Sequence, residues 1–168
     1  YGYNSINIGT GWPGRPRPES RRALLHTVDA MKRELGRDRI DVVMLSHFHE
    51  DHTCGVPLLK RVFGAELWVP ESFADLMERP DAHCFPCDWH VPMRVDRRLP
   101  LDGRVPWEQF TFHFAPMSGH TRFAALIGFE ADGKRFAHTG DQYFFQKGVN
   151  QFADNVVQHN YVYRNGAL

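Results

Sequence analysis

Four metal-ligand residue types fall within six positions of this sequence: His47-x-His49-x-Asp51-His52. Imidazole nitrogens and carboxylate oxygens are the natural ligands of zinc and similar divalent ions. Gathered on one turn, these side chains can face a single small volume without any long-range folding. His47 and His49, two apart, can share one ion. Asp51 and His52 then point to a neighbouring position, because one tetrahedral ion cannot take all four ligands from so short a loop. A lone histidine in a loop is usually solvated, whereas a run of this kind directly after an apolar strand marks a metal site.

Two later segments have the same construction. Gly119-His120-Thr121 and Thr139-Gly140-Asp141 each place a ligand type at the expected end of a strand, beside a glycine that lets backbone approach closely. Each is weak alone and gains force from the first cluster. Together they divide into two ligand sets. His47, His49 and His120 would hold one ion; Asp51, His52 and Asp141 would hold the other, with Asp141 bridging. Two ions about 3.5–4 Å apart can share a hydroxide, lower its pKa toward neutrality and so supply a nucleophile for hydrolysis. Asp51, besides ligating, would orient that hydroxide and is the candidate catalytic residue.

The ordered set His47-x-His49-x-Asp51-His52, Gly119-His120-Thr121 and Thr139-Gly140-Asp141 resembles the motif set of the metallo-β-lactamase superfamily, over about residues 40 to 145. The resemblance implies an α/β fold, an αββα sandwich with two divalent ions, zinc before iron or manganese, at one edge between two sheets. It implies hydrolysis as the default chemistry. A carboxylate at Asp141 resembles the glyoxalase II, lactonase and ribonuclease Z branches more than true β-lactamases, which generally lack one there. A small ester, thioester or lactone is therefore the expected substrate, with a phosphodiester next. A non-catalytic or redox metal-binding module on the same fold is the competing class; the full ligand complement in the matching span favours catalysis. Two features depart from the pattern. The usual Asp-bearing strand before the first helix is not seen after Tyr1-Gly2-Tyr3. The expected last histidine ligand has only His159 as a candidate, 18 positions after Asp141 and not at a strand end. The segment thus reads as one metallo-hydrolase domain, residues 1–168, incomplete at both edges of the fold.

These ligands need strands and turns to hold them. Ile40 to Leu45 is short and β-branched and predicts a buried strand running straight into the first cluster. Before it, Leu24, Val28, Met31 and Leu35 recur at helical spacing after Ser20, with Gly36 as a stop. After it, Pro57 and Gly64 bracket a helix. Glu66 to Val69 reads as a strand and Ser72 to Glu78 as a short helix. Phe110, Phe112 and Phe114 alternate with Thr111 and His113, as in a half-buried strand. Arg122–Glu130 and Lys134–His138 flank Asp132-Gly133, a hairpin signal. Residues 1–19 and 80–93 read as loops, and the pattern weakens after Gln142. His113, His138 and His26 read as structural or surface residues.

Composition limits the alternatives. Lys+Arg and Asp+Glu are each 20, so the formal net charge is zero and no basic stripe invites nucleic acid or an anionic membrane. The expected partner is a small-molecule substrate; oligomeric state is not legible. No apolar run has the length of a membrane span. Three cysteines, Cys54, Cys84 and Cys87, are too few and odd in number for a disulfide framework, which favours a reducing, cytoplasmic compartment. The start at Tyr1 points to residues removed upstream, so a signal peptide is not legible. Cys84-x-x-Cys87 with His90 has half of a zinc knuckle's ligands but no second pair. It reads instead as a loop carrying Phe85 and Trp89 near the site.

Overall fold

A computed structural model describes residues 23–53, 55–84, 92–146, 149–152 and 163–164. The elements in chain order are α1 (Ala23–Leu35), β1 (Val42–Met44), α2 (Glu50–Thr53), α3 (Val56–Phe63), β2 (Glu66–Pro70), α4 (Glu71–Glu78), β3 (His83–Cys84), β4 (Arg97–Leu99), β5 (Arg104–Trp107), β6 (Phe110–Pro116), β7 (Ala125–Ala131), β8 (Lys134–His138), β9 (Tyr143–Gln146), β10 (Val149–Phe152) and β11 (Tyr163–Arg164).

Two sheets position the site. The first has the order β1-β2-β4 and is parallel throughout. The second is an antiparallel meander, β5-β6-β7-β8. The period-two alternation of strand side chains decides which way each residue of the first sheet faces. Leu67 and Val69 of β2 meet Val56 of α3 and Phe73, Ala74, Leu76 and Met77 of α4. Trp68, between them, faces the other way with Leu99 and meets Val105, Phe114 and Ile127 of the meander, joined by Val42 and Met44. The result is a layer of helices, a parallel sheet and an antiparallel sheet, each interface filled by apolar side chains.

Local chemistry accounts for most of the boundaries. Pro57 sits in the first turn of α3, where a missing N–H costs nothing, and Gly64 ends the helix in the left-handed region at φ 67°. Asp132 and Gly133, at φ 51° and 69°, form the tight turn between β7 and β8 that Asp-Gly predicts.

Other expectations needed correction. β4 and β5 are strands that no periodicity announced. Arg97-Arg98-Leu99 pairs in parallel with Trp68–Pro70 and buries Leu99 completely, while its exposed charges find partners at the surface. Arg97 lies over the Trp68 ring at 4.5 Å, and Arg98 pairs with Asp75 at 2.9 Å and Glu78 at 2.5 Å. Asp96 pins β4 to β2: its backbone N–H donates to Leu67 O at 2.9 Å, and its carboxylate accepts the Leu67 N–H at 2.8 Å and the Lys60 ammonium. β5 tolerates Pro106 because it is an edge strand. The segment expected as a loop from residue 80 opens with a 3-10 turn at Pro80–Ala82 and then β3, which pairs with β11. Beyond Gln142, where the pattern weakened, β9 and β10 form an antiparallel pair. β7 begins at Ala125, not Arg122, because Thr121 to Phe123 belong to the turn that carries His120. The apolar stripe of α1 is only partly used: Val28 and Met31 are half-buried and Leu35 is 71% exposed. Residues 1–22, Cys54, the Cys87–His90 portion of the half-knuckle with Phe85 and Trp89, and His159 lie outside the described residues.

Candidate metal centre

The first cluster is held from both sides by the core. Leu45, Ser46, His47 and Phe48 are all buried as the chain leaves β1, with Leu45 and Phe48 inserted into the helix-side core. Apolar anchors alternating with ligand types fix the directions of His47 and His49 from within the sequence itself. The chain then turns into α2, where the backbone N–H groups of His52 and Thr53 both donate to His49 O, at 3.0 and 3.1 Å, and the Thr53 hydroxyl adds a third bond to it at 3.0 Å. That short helix brings His52 back over His47. Asp51 is described by its backbone alone, in α2 one residue before His52.

His47 is the hub. It is 1% exposed, and its ring centroid lies 4.9 Å from His49, 4.2 Å from His52 and 5.1 Å from His120. Its Nδ1 is 3.1 Å from the Ser46 hydroxyl, while its Nε2 is buried without a hydrogen-bond partner. Burial, followed by the charges of His52, His49 and His120, pushes the His47 pKa down to about 2. The ring is therefore held neutral, the form in which an imidazole ligates a metal, and its Nε2 is the buried nitrogen left for a ligand role.

The other two segments converge on this hub. Met117 N–H donates to Ala124 O at 2.8 Å and closes the loop that carries His120. Ala125 N–H donates to Ser46 O at 2.8 Å and moors the start of β7 to the first cluster. His120 Nε2 lies 2.9 Å from His49 Nδ1. Asp141 sits on the turn after β8, with one carboxylate oxygen 3.2 Å from His52 Nε2 and the other 3.8 Å from His120 Nε2. The hydrogen bond from His52 outweighs burial and holds the Asp141 carboxyl down at about 2, so it is ionised.

The donor atoms fall into two groups, His47–His49–His120 and His47–His52–Asp141, each within 4.8 Å of one another. Tetrahedral zinc with bonds of about 2.05 Å needs ligand atoms about 3.3 Å apart, so both groups are compact enough to close on an ion. The buried, unpartnered Nε2 of His47 and the nitrogen-rich donor sets fit a divalent cation of the zinc type. The first group is the one expected from sequence. The second joins His47 to His52 and Asp141, so the hub histidine faces both donor groups; the Asp51 side chain lies outside the described residues.

Three contributors were not anticipated. Ser46 and Gln142 meet the ligands directly, and His138, read as structural, lines a cavity of about 350 Å³ with His52, Ser46, Val43, Leu45, Val56 and Leu59. Ser46 could have been noticed as the hydroxyl preceding the first ligand. Gln142 and His138 gave no local signal. A larger hollow of about 550 Å³ lies over the face of β5–β8 turned away from the core, among Arg104, His113, Glu130 and Arg135, and holds none of the ligands.

The sequence model of the metallo-beta-lactamase superfamily matches residues 8–146. The chain belongs to this superfamily. It is 31% identical over 119 residues to the hydroxyacylglutathione hydrolase GloC of Haemophilus influenzae, covering 67% of this chain and 53% of that protein. Among solved structures, the family's fold is matched by the metallo-beta-lactamase MIM-1 from Novosphingobium pentaromativorans, with a TM-score of 0.56 at 19% identity, over 71% of this chain and 46% of that one. It is matched also by the FEZ-1 metallo-beta-lactamase from Legionella gormanii, with a TM-score of 0.54 at 21% identity, over 69% and 48%. The chain spans about half the length of these relatives. Among the described residues, no helix is long and apolar enough to cross a membrane.

Proposed function

We propose that this chain carries the metal-binding site of a dinuclear hydrolase acting on a small ester, thioester or lactone. The observation that carries the reading is the Asp141 carboxylate, one oxygen toward His52 and the other toward His120. An ionised carboxylate with its two oxygens turned toward one imidazole of each donor group could serve an ion on either side. His47, His49 and His120 would hold one divalent ion; His52, Asp51 and Asp141 would hold the second, with His47 within reach of both. Bound ions of this kind supply Lewis acidity and a water activated near neutral pH.

The chain's own residues set the conditions for that chemistry. The Ser46 hydroxyl at Nδ1 of His47 fixes the ring so that Nε2 faces inward. Burial keeps that ring neutral. Asp141 keeps its negative charge and balances the cations between the histidines. Asp51, directly before His52, orients the attacking water. The neutral overall charge weighs against a polyanionic nucleic-acid substrate. Similarity to a hydroxyacylglutathione hydrolase and the carboxylate at Asp141 both favour acyl transfer to water over β-lactam cleavage.

A panel of lactones, acyl-thioesters, aryl esters and a phosphodiester, assayed with the intact protein before and after chelation, tests the proposal. Hydrolysis of an acyl substrate, lost on chelation and restored by zinc, is expected. Turnover confined to the phosphodiester would replace the substrate class, and full turnover by metal-free protein would overturn the mechanism.

A further inference from the structure

Gln142 is 1% exposed. Glutamine is seldom buried so completely, because its amide must then find its hydrogen bonds inside the protein. Its backbone N–H donates to Thr139 O at 3.2 Å and tightens the turn that presents Asp141. Its side-chain oxygen accepts the backbone N–H of His120 at 3.0 Å, across 22 positions of sequence. The His120 loop is closed on itself by Gly119 N–H to Thr121 O at 3.2 Å and by the Ser118 hydroxyl to Arg122 O at 2.6 Å. Those bonds shape the loop without locating it. Ala125 N–H to Ser46 O moors the far end of the loop to the first cluster, and the Gln142 amide ties the His120 backbone itself to the Asp141 turn.

We infer that Gln142 is a positioning residue that holds His120 in register with Asp141 and so couples the two ligand sets. His120 belongs to one set and Asp141 to the other, and the residue adjoining Asp141 grips the backbone of His120 itself. An apolar side chain of the same volume would fill the space and remove the bond between the His120 backbone and the Asp141 turn. The inference rests on the metal-site reading above.

Cobalt(II) titration of the metal-stripped intact protein, followed by visible absorption, tests it. The spectrum reports ligand geometry, which a purely structural role for Gln142 would leave unchanged. Gln142→Met is expected to weaken cobalt binding about 10–100-fold, the usual consequence of losing a residue that orients a ligand, and to alter the spectrum. Gln142→Glu keeps an acceptor oxygen in place and is expected to restore both. If Gln142→Met does not fold, Gln142→Asn, whose oxygen falls one carbon short, carries the same expectation. A parent-like titration and spectrum for the Met or Asn variant, or equal damage in the Glu variant, would overturn the inference alone. A parent protein that takes up no cobalt would overturn the metal-site reading, and this inference with it.

Discussion

The backbone of Gly140 lies so close to Ser46 that a Cβ at position 140 would stand 2.6 Å from the Ser46 hydroxyl and 3.2 Å from His47 Nδ1. Gly140 also has φ of 55°, in the left-handed region. The turn that presents Asp141 is therefore pressed against the residue pair that orients the hub histidine. Gly140→Ala is expected to destabilise the protein by about 1–3 kcal/mol through strain and overpacking. Gly133→Ala is the control, since its φ of 69° is similar but nothing lies within 4 Å of its Cβ. Denaturant unfolding should show a larger loss for Gly140→Ala, and only that variant should lose metal affinity. Equal losses with intact metal binding would show that the close approach has no bearing on the site.

The Ser46 hydroxyl is the group placed to choose which nitrogen of His47 faces inward. Removing it as Ser46→Ala leaves the surrounding core atoms in place. Metal affinity is expected to fall about 10–100-fold, as for other groups that orient a ligand, with the unfolding midpoint of the metal-free protein nearly unchanged. Competition against a chromophoric chelator measures the first quantity. Unchanged affinity would mean that burial alone orients the ring.

Away from the site, Asp96 joins β4 to β2 and should make stability depend on acid. Burial pushes its carboxyl up, but the Leu67 N–H and the Lys60 ammonium together outweigh that and hold it below the usual aspartate range. The unfolded chain then takes up a proton that the folded chain refuses, so the contribution is fully present above about pH 3.9 and is lost as pH falls below it. Asp96→Ala is expected to cost about 1–3 kcal/mol at neutral pH and to flatten the acid dependence in that window. Urea midpoints for both proteins between pH 2.5 and 6 check this; parallel curves would contradict it.

Much of the site was legible because its first cluster is local. His47, His49 and His52 converge through one strand end and one short helix, and residue types at close spacing report that directly. The Asp132-Gly133 turn and the Pro57–Gly64 bracket were legible for the same reason. What escaped depends on distant partners. Arg97-Arg98 carries no strand signal of its own, and its place beside β2 depends on distant partners: the Trp68 ring, Asp75 and Glu78. Gln142 looks like any polar residue until burial and the His120 N–H give it a task. The sharing of His47 between the two donor groups follows from the fold of α2 over the first cluster, which ligand spacing alone does not specify.

The proposed site would hold two ions, with Asp141 between them. Elemental analysis of the intact protein, purified without chelators, alongside Asp141→Ala and His120→Ala, tests it most directly. About two divalent ions per chain are expected in the parent, with a clear loss of metal in each variant and a strong fall in turnover while both remain folded. Two ions retained in the Asp141→Ala variant, or parent-like turnover in either variant, would contradict it.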